Sequence, residues 1–133
     1  AQFHQPASQS PTDVLSFCER TSTDTRLGCQ YIRDKALTPS QLPKAIEQLQ
    51  LFIDSVDYLY ITVDLDVFSA GIAPGVSAPA ARGISTETFD ELFNVIKASG
   101  KIALFDIAEC NPAFDIDNHT SKLAAYLIYQ YLF

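Results

Sequence analysis

Two apolar segments constrain the fold of this chain more than any other feature: Tyr58-Leu59-Tyr60-Ile61-Thr62-Val63 and Lys101-Ile102-Ala103-Leu104-Phe105-Asp106-Ile107-Ala108. The first is built of aromatic and β-branched residues without polar alternation, which predicts a strand covered on both faces, as in a parallel sheet flanked by helices. The second reads as another buried strand. Between them the pattern is helical. Ser85 is placed to cap, Glu87 lies in the first turn where unpaired amides favour negative charge, and Phe89, Leu92, Phe93 and Ile96 form one apolar stripe before Gly100 stops the helix. Upstream, Leu42, Ile46, Leu49 and Ile53 recur at helical spacing. With Ser40 as N-cap, Pro43 falls in the first turn, where its missing N–H costs nothing. Downstream, Asn111-Pro112 turns the chain, and a last helix from about Thr120 carries Leu123, Leu127, Ile128 and Tyr131. Helix, strand, loop, helix, strand, helix is an α/β layered pattern with right-handed crossovers.

The beginning is less regular. Residues 1–13 are rich in Gln, Ser and Pro and read as loop; Val14 to Cys18 could form a strand, and Cys29 to Ile32 is ambiguous. We therefore divide the chain into a loop-rich segment, 1–37, and an α/β portion, 38–133. Phe68 to Gly83 is a long connection punctuated by Gly71, Pro74, Gly75, Pro79 and Gly83. Connections of that length tend to be functional or disordered, and the alanines, Ile72 and Val76 point to a packed functional loop.

Composition excludes several roles. With 133 residues the chain has material for one domain, and 47% hydrophobic content places it among folded proteins. Nine Lys and Arg against sixteen Asp and Glu give a net charge of -7. That balance argues against nucleic acid or an anionic membrane as a partner. No apolar run is long enough to span a bilayer, and the opening residues do not read as a signal peptide. Cys18, Cys29 and Cys110 form no C-x-x-C pair, so reduced, packing cysteines in a cytoplasmic protein are expected.

The chemistry-bearing residues lie where the two strands end. In open α/β sheets ligands gather at the carboxyl ends of strands. Asp64 and Asp66 follow the first strand and Glu109 follows the second. Strand alternation would point Asp64 and Asp66 to one side, and carboxylates so close drive one pKa up unless a cation intervenes. Hard divalent ions such as Mg²⁺ or Mn²⁺ suit oxygen donors of this kind. Two other readings stand beside metal binding. The two aspartates could simply end a strand by bonding loop amides, or Asp64 could be a phosphotransfer nucleophile with Asp66 as acid/base, as in haloacid dehalogenase-like phosphatases. That phosphatase motif wants Thr or Val where this chain has Phe68.

Three motifs in order discriminate among these readings: Thr62-Val63-Asp64-Leu65-Asp66-Val67-Phe68, then Ala73-Pro74-Gly75-Val76-Ser77-Ala78-Pro79-Ala80-Ala81-Arg82-Gly83, then Ile107-Ala108-Glu109-Cys110-Asn111-Pro112. From about Leu51 to the C-terminus the chain resembles the C-terminal portion of the ureohydrolase family, the arginase and agmatinase group. The run ending in Arg82-Gly83 is most similar to the subgroup that hydrolyses N-formimidoyl-L-glutamate to L-glutamate and formamide. The resemblance implies a three-layer α/β/α fold with a mainly parallel central sheet, of which this chain is the C-terminal part. It implies a pair of Mn²⁺ ions, with Asp64 bridging both and Asp66 holding one. It also implies a small-molecule substrate whose cationic nitrogen group faces Glu109. Arg82 suits a substrate carboxylate through its bidentate donors, or a salt bridge that shapes the loop.

The family's remaining metal ligands come from a Gly-Gly-x-His motif and an Asp-x-His-x-Asp motif, and neither occurs here. The chain has two histidines, His4 in its loop-like start and His119 near the last helix, read as surface or capping residues. The upstream portion of the same polypeptide is therefore the expected partner that completes the site. Exposed edges and an uncovered apolar face are expected of such a part, as is a homo-oligomer. A non-catalytic structural or interaction module is the remaining alternative.

Overall fold

The computed structural model describes the backbone of residues 2–4, 15–18 and 30–133, and side chains for Leu15, Phe17 and 30–133. Its elements are β1 (Gln2–His4), β2 (Leu15–Cys18), β3 (Gln30–Arg33), α1 (Leu42–Asp54), β4 (Leu59–Asp64), α2 (Thr86–Ala98), β5 (Ile102–Ala108) and α3 (His119–Leu132). The strands form one sheet in the order β3-β2-β1-β4-β5. β2 pairs with β3, and β4 with β5, in parallel, whereas the short β1 runs antiparallel to both of its neighbours. The sheet is thus mainly parallel, and the class is the α/β/α that the resemblance implies. The first 37 residues supply three of these strands. Gln2–His4 is a strand and not the loop expected of residues 1–13, because three residues carry too little pattern to announce one.

The helices form for the reasons that their sequences suggest, with one shift. Ser85 accepts a hydrogen bond from the Thr88 amide at 3.2 Å, and Phe89, Leu92, Phe93 and Ile96 are all buried. α1 begins at Leu42 with Gln41 rather than Ser40 at the cap position. The amides of Gln41 and Leu42 both donate to the Thr38 carbonyl, so a backbone turn does the work expected of the Ser40 side chain. Pro43 still falls in the first turn. At the other end of α1, the Lys101 ammonium donates to the carbonyls of Ile53 and Val56 at 2.8 and 2.7 Å, tying the helix terminus to the start of β5.

α2 and α3 meet the sheet on one face, where Phe105 of β5 lies 5.7 Å from the Phe93 ring and stacks on Tyr131 at 4.8 Å. α1 packs beside α2. In β4, Leu59, Ile61 and Val63 are buried while Tyr60, Thr62 and Asp64 are only half-buried. The expectation that both faces are covered is therefore met on one face only. Leu104 on the other face is 55% exposed, and the end of α3 exposes Ile128, Tyr129, Leu132 and Phe133. No described helix is long and apolar enough to cross a membrane.

The long connection after β4 is pinned at both ends. Phe68 bridges Ile84, and Ser69 bridges Ala80. Its middle is clasped to the turn before α3: the Gly75 amide donates to Thr120 Oγ1 at 2.7 Å, and the Gly75 carbonyl accepts from the Asn111 amide at 2.7 Å. A Cβ at Gly75 would lie 2.7 Å from Asp115 Cβ and 2.8 Å from its Cα. Asp115 in turn accepts from the amides of Thr120 and Ser121 and from the Ser121 hydroxyl, capping α3. Burial works against ionisation of Asp115, but these hydrogen bonds prevail and hold its carboxyl well below the usual range. Gly75→Ala should destabilise the chain by about 2 kcal/mol through overpacking. Gly71→Ala, where a Cβ meets nothing within 4 Å, should change stability by less than about 0.5 kcal/mol. Denaturant unfolding of the two variants, side by side, checks the contrast.

Candidate functional site

β4 ends at Asp64, and a single 3-10 turn, Leu65–Val67, follows at once. Asp64 caps that turn by accepting from the Asp66 amide at 3.2 Å. Leu65 and Phe68, on either side, are fully buried, and Asp66 between them is half-buried. The two aspartates are neighbours, as expected, but a turn and not strand alternation brings them together. A strand would have continued past Asp64. Burying Leu65 and Phe68 three residues apart needs the tighter rise of a 3-10 turn instead.

The electrostatics follow from this crowding. The Asp66 carboxyl is pushed up from 3.8 to about 6, by burial first and then by the negative charges of Asp64 and Glu109 and a hydrogen bond shared with Asp64. Glu109 thus belongs to the same anionic cluster. Asp64 pairs with Ala108 across the β4–β5 ladder, so Glu109 is the next residue along. Its φ of 67° places it in the left-handed region, uncommon for a residue with a side chain. The three carboxylates singled out from sequence therefore lie at the adjacent carboxyl ends of β4 and β5.

Arg82 pairs with a residue outside this cluster. Its Nε lies 3.8 Å from Asp34 Oδ2, with the arginine side chain 70% exposed and the aspartate 12%. A contact that long and exposed holds the loop weakly. His119 is the first, exposed residue of α3, and its amide donates to the Ile116 carbonyl at 2.9 Å. His4 lies in β1, and its side chain is outside the described set, as are those of Cys18 and Cys29. Cys110 is exposed and free, so packing does not explain it.

As donors, Asp64 and Asp66 fit a hard divalent cation: two carboxylates share a half-buried corner that raises one of their pKa values, and a cation would relieve the repulsion. They do not complete a centre. Among the described residues no group of three His, Cys, Asp or Glu side chains is arranged to hold a metal ion.

Sequence reasoning passed over a set of polar residues next to this corner. Asp106 of β5 accepts hydrogen bonds from the Tyr60 hydroxyl and, at 2.6 Å, from the Thr62 hydroxyl, both on β4. The signal was present: Asp106 is the one acidic residue within the second apolar run.

A family model described as Arginase family matches residues 9–133. The chain belongs to the arginase family, the ureohydrolases. Formimidoylglutamase of Vibrio cholerae serotype O1 is 54% identical to it over 103 residues, covering 77% of this chain and 31% of that protein. Formimidoylglutamase of Rhodococcus jostii is 39% identical over 135 residues, covering 97% of this chain and 42% of that protein. The crystal structure of arginase from Bacillus subtilis is similar with a TM-score of 0.71 at 26% identity, over 78% of this chain and 39% of that one. The chain spans 31% of the length of the Vibrio cholerae protein and 33% of that of formimidoylglutamase from Aeromonas hydrophila. The phosphatase reading of Asp64 is set aside by this membership.

The raised Asp66 carboxyl has a consequence for stability. Unfolded, it titrates near 3.8; folded and metal-free, near 6. Between those values the folded chain binds the extra proton, so the contribution of Asp66 is fully present below about pH 4 and is lost as pH rises through about 6. Asp66→Asn cannot ionise and escapes that loss. The melting temperature of the variant relative to the parent should therefore climb between about pH 4 and pH 7. A constant difference across that window would show that the Asp66 carboxyl is not raised.

Proposed function

We propose that this chain forms the C-terminal part of a manganese-dependent C–N hydrolase that converts N-formimidoyl-L-glutamate and water to L-glutamate and formamide. The observation that carries the reading is the convergence of Asp64, Asp66 and Glu109 at the carboxyl ends of two parallel strands, in a chain 54% identical over 103 residues to a formimidoylglutamase.

Asp64 and Asp66 would hold the ions. The chemistry that bound divalent metal supplies is a water acidified enough to act as a nucleophile near neutral pH. Glu109 would face the formimidoyl amidinium, orienting the carbon for addition of water and gaining strength as the tetrahedral centre forms. The bond from that carbon to the glutamate nitrogen then breaks, the nitrogen takes a proton, and formamide leaves. Arg82, held only at 3.8 Å by Asp34, would offer its planar donors to a substrate carboxylate. A cytoplasmic location and a homo-oligomeric assembly complete the proposal.

The donors missing from this chain would come from the upstream portion of the polypeptide, which would also cover Leu104 and the outer side of α3. On its own the chain should then be inactive. In the whole protein, loaded with Mn²⁺, turnover of N-formimidoyl-L-glutamate should exceed that of agmatine and of guanidino acids. Glu109→Gln should lower kcat/KM by about 10²-fold or more. Turnover confined to agmatine or a guanidino acid would replace this substrate with another of the same family. Full activity of Asp64→Ala would remove the metal reading altogether.

A further inference from the structure

We propose that Asp106 is a positioning residue for this site: by accepting hydroxyl hydrogen bonds from Tyr60 and Thr62 it locks the one register of β5 on β4 that sets Glu109 beside Asp64 and Asp66. This rests on the reading of Glu109 as the group that faces the substrate.

The register is not self-evident from the strands. β5 starts with Ile102 opposite Leu59, but the ladder shifts by one residue, and Leu104 lies opposite Tyr60. Ala103 is the extra residue of a β-bulge. Beyond it, Thr62 pairs with Asp106 and Asp64 with Ala108. Had the first register continued, Asp106 would lie opposite Val63, which is fully buried. Because side chains alternate, a slip of one residue sends every β5 side chain to the opposite face. Phe105 would lose its place between Phe93 and Tyr131, and a carboxylate would enter the apolar core. The bulge makes the observed register available.

The hydrogen bonds select it. Asp106 uses one carboxylate oxygen on the Thr62 hydroxyl and the other on the Tyr60 hydroxyl. Tyr60, Thr62 and Asp64 alternate along one face of β4, so the carboxylate grips that strand two and four residues before Asp64. Two bonds to the two oxygens of one carboxyl group fix both offset and tilt. Three residues later the chain reaches Glu109 in a left-handed conformation, and the Asn111 amide is already bound to the Gly75 carbonyl. Between the lock and that clasp, Glu109 has one place to go.

The test uses the whole protein with Mn²⁺, comparing Thr62→Val, Tyr60→Phe and the conservative Thr62→Ser. Thr62→Val should lower kcat for N-formimidoyl-L-glutamate by about 10²-fold, as a misplaced group does, with manganese content and KM little changed. Thr62→Ser, which keeps the hydroxyl, should restore kcat to within about threefold. The proposal is overturned if Thr62→Val loses stability but keeps kcat, or if Thr62→Ser is as slow as Thr62→Val. If the unaltered protein fails to turn this substrate over, it is the functional reading that fails. The lock is then read alone from cross-strand NMR contacts: a pattern shifted by one residue in the Thr62→Val, Tyr60→Phe double variant supports it, and an unchanged pattern with unchanged amide exchange overturns it.

Discussion

The parallel pairing of β4 with β5 is the constraint on which the rest of the structure depends. Leu59, Ile61 and Val63 bury one side of β4, and the helices pack where they and Phe105 offer an apolar floor. A parallel pair cannot be closed by a tight turn, so a crossover is required, and here it comprises the 68–84 connection and α2. That long connection is not slack. Its bridges to Ile84 and Ala80 and its clasp on Asn111 and Thr120 return it to the carboxyl ends of both strands. The same geometry that makes the core therefore assembles Asp64, Asp66, Gly75 and Glu109 in one neighbourhood.

How much of this could be read in advance depended on the length of the pattern. α2 was legible to the residue at its cap, because Ser85, Glu87 and four stripe positions agree on one helix. α1 was legible except for its start, where a backbone turn at Thr38 replaced a side-chain cap. β1 was not legible, since Gln2–His4 has no periodicity to read and acquires its conformation from its neighbours. The covered face of β4 was overestimated for a related reason: Tyr60 and Thr62 are good strand formers whichever side they face, and what lies against them is decided by tertiary packing.

The site shows a similar division. That Asp64, Asp66 and Glu109 would converge followed from their places at strand ends. How Asp66 reaches Asp64 did not, because the 3-10 turn is imposed by burial of Leu65 and Phe68. Asp106 was hidden for another reason: inside an apolar strand one acidic residue can mark an edge, a partner or a fault in the pattern. The bulge at Ala103 opens the face that it takes, and the Tyr60 and Thr62 hydroxyls hold it there. Sequence periodicity carries no warning of an inserted residue when the strand around it is uniformly apolar.

Charge decides what such a corner can do. A chain with a net charge of -7 has brought three carboxylates together, and Asp66 is pushed toward its neutral form as a result. Asp106, by contrast, has both oxygens engaged by hydroxyls. The two kinds of acid are thus distinguished by their partners. Asp106 has both oxygens bound within the sheet and holds a register, whereas Asp66 is left crowded by burial and by the charges of Asp64 and Glu109.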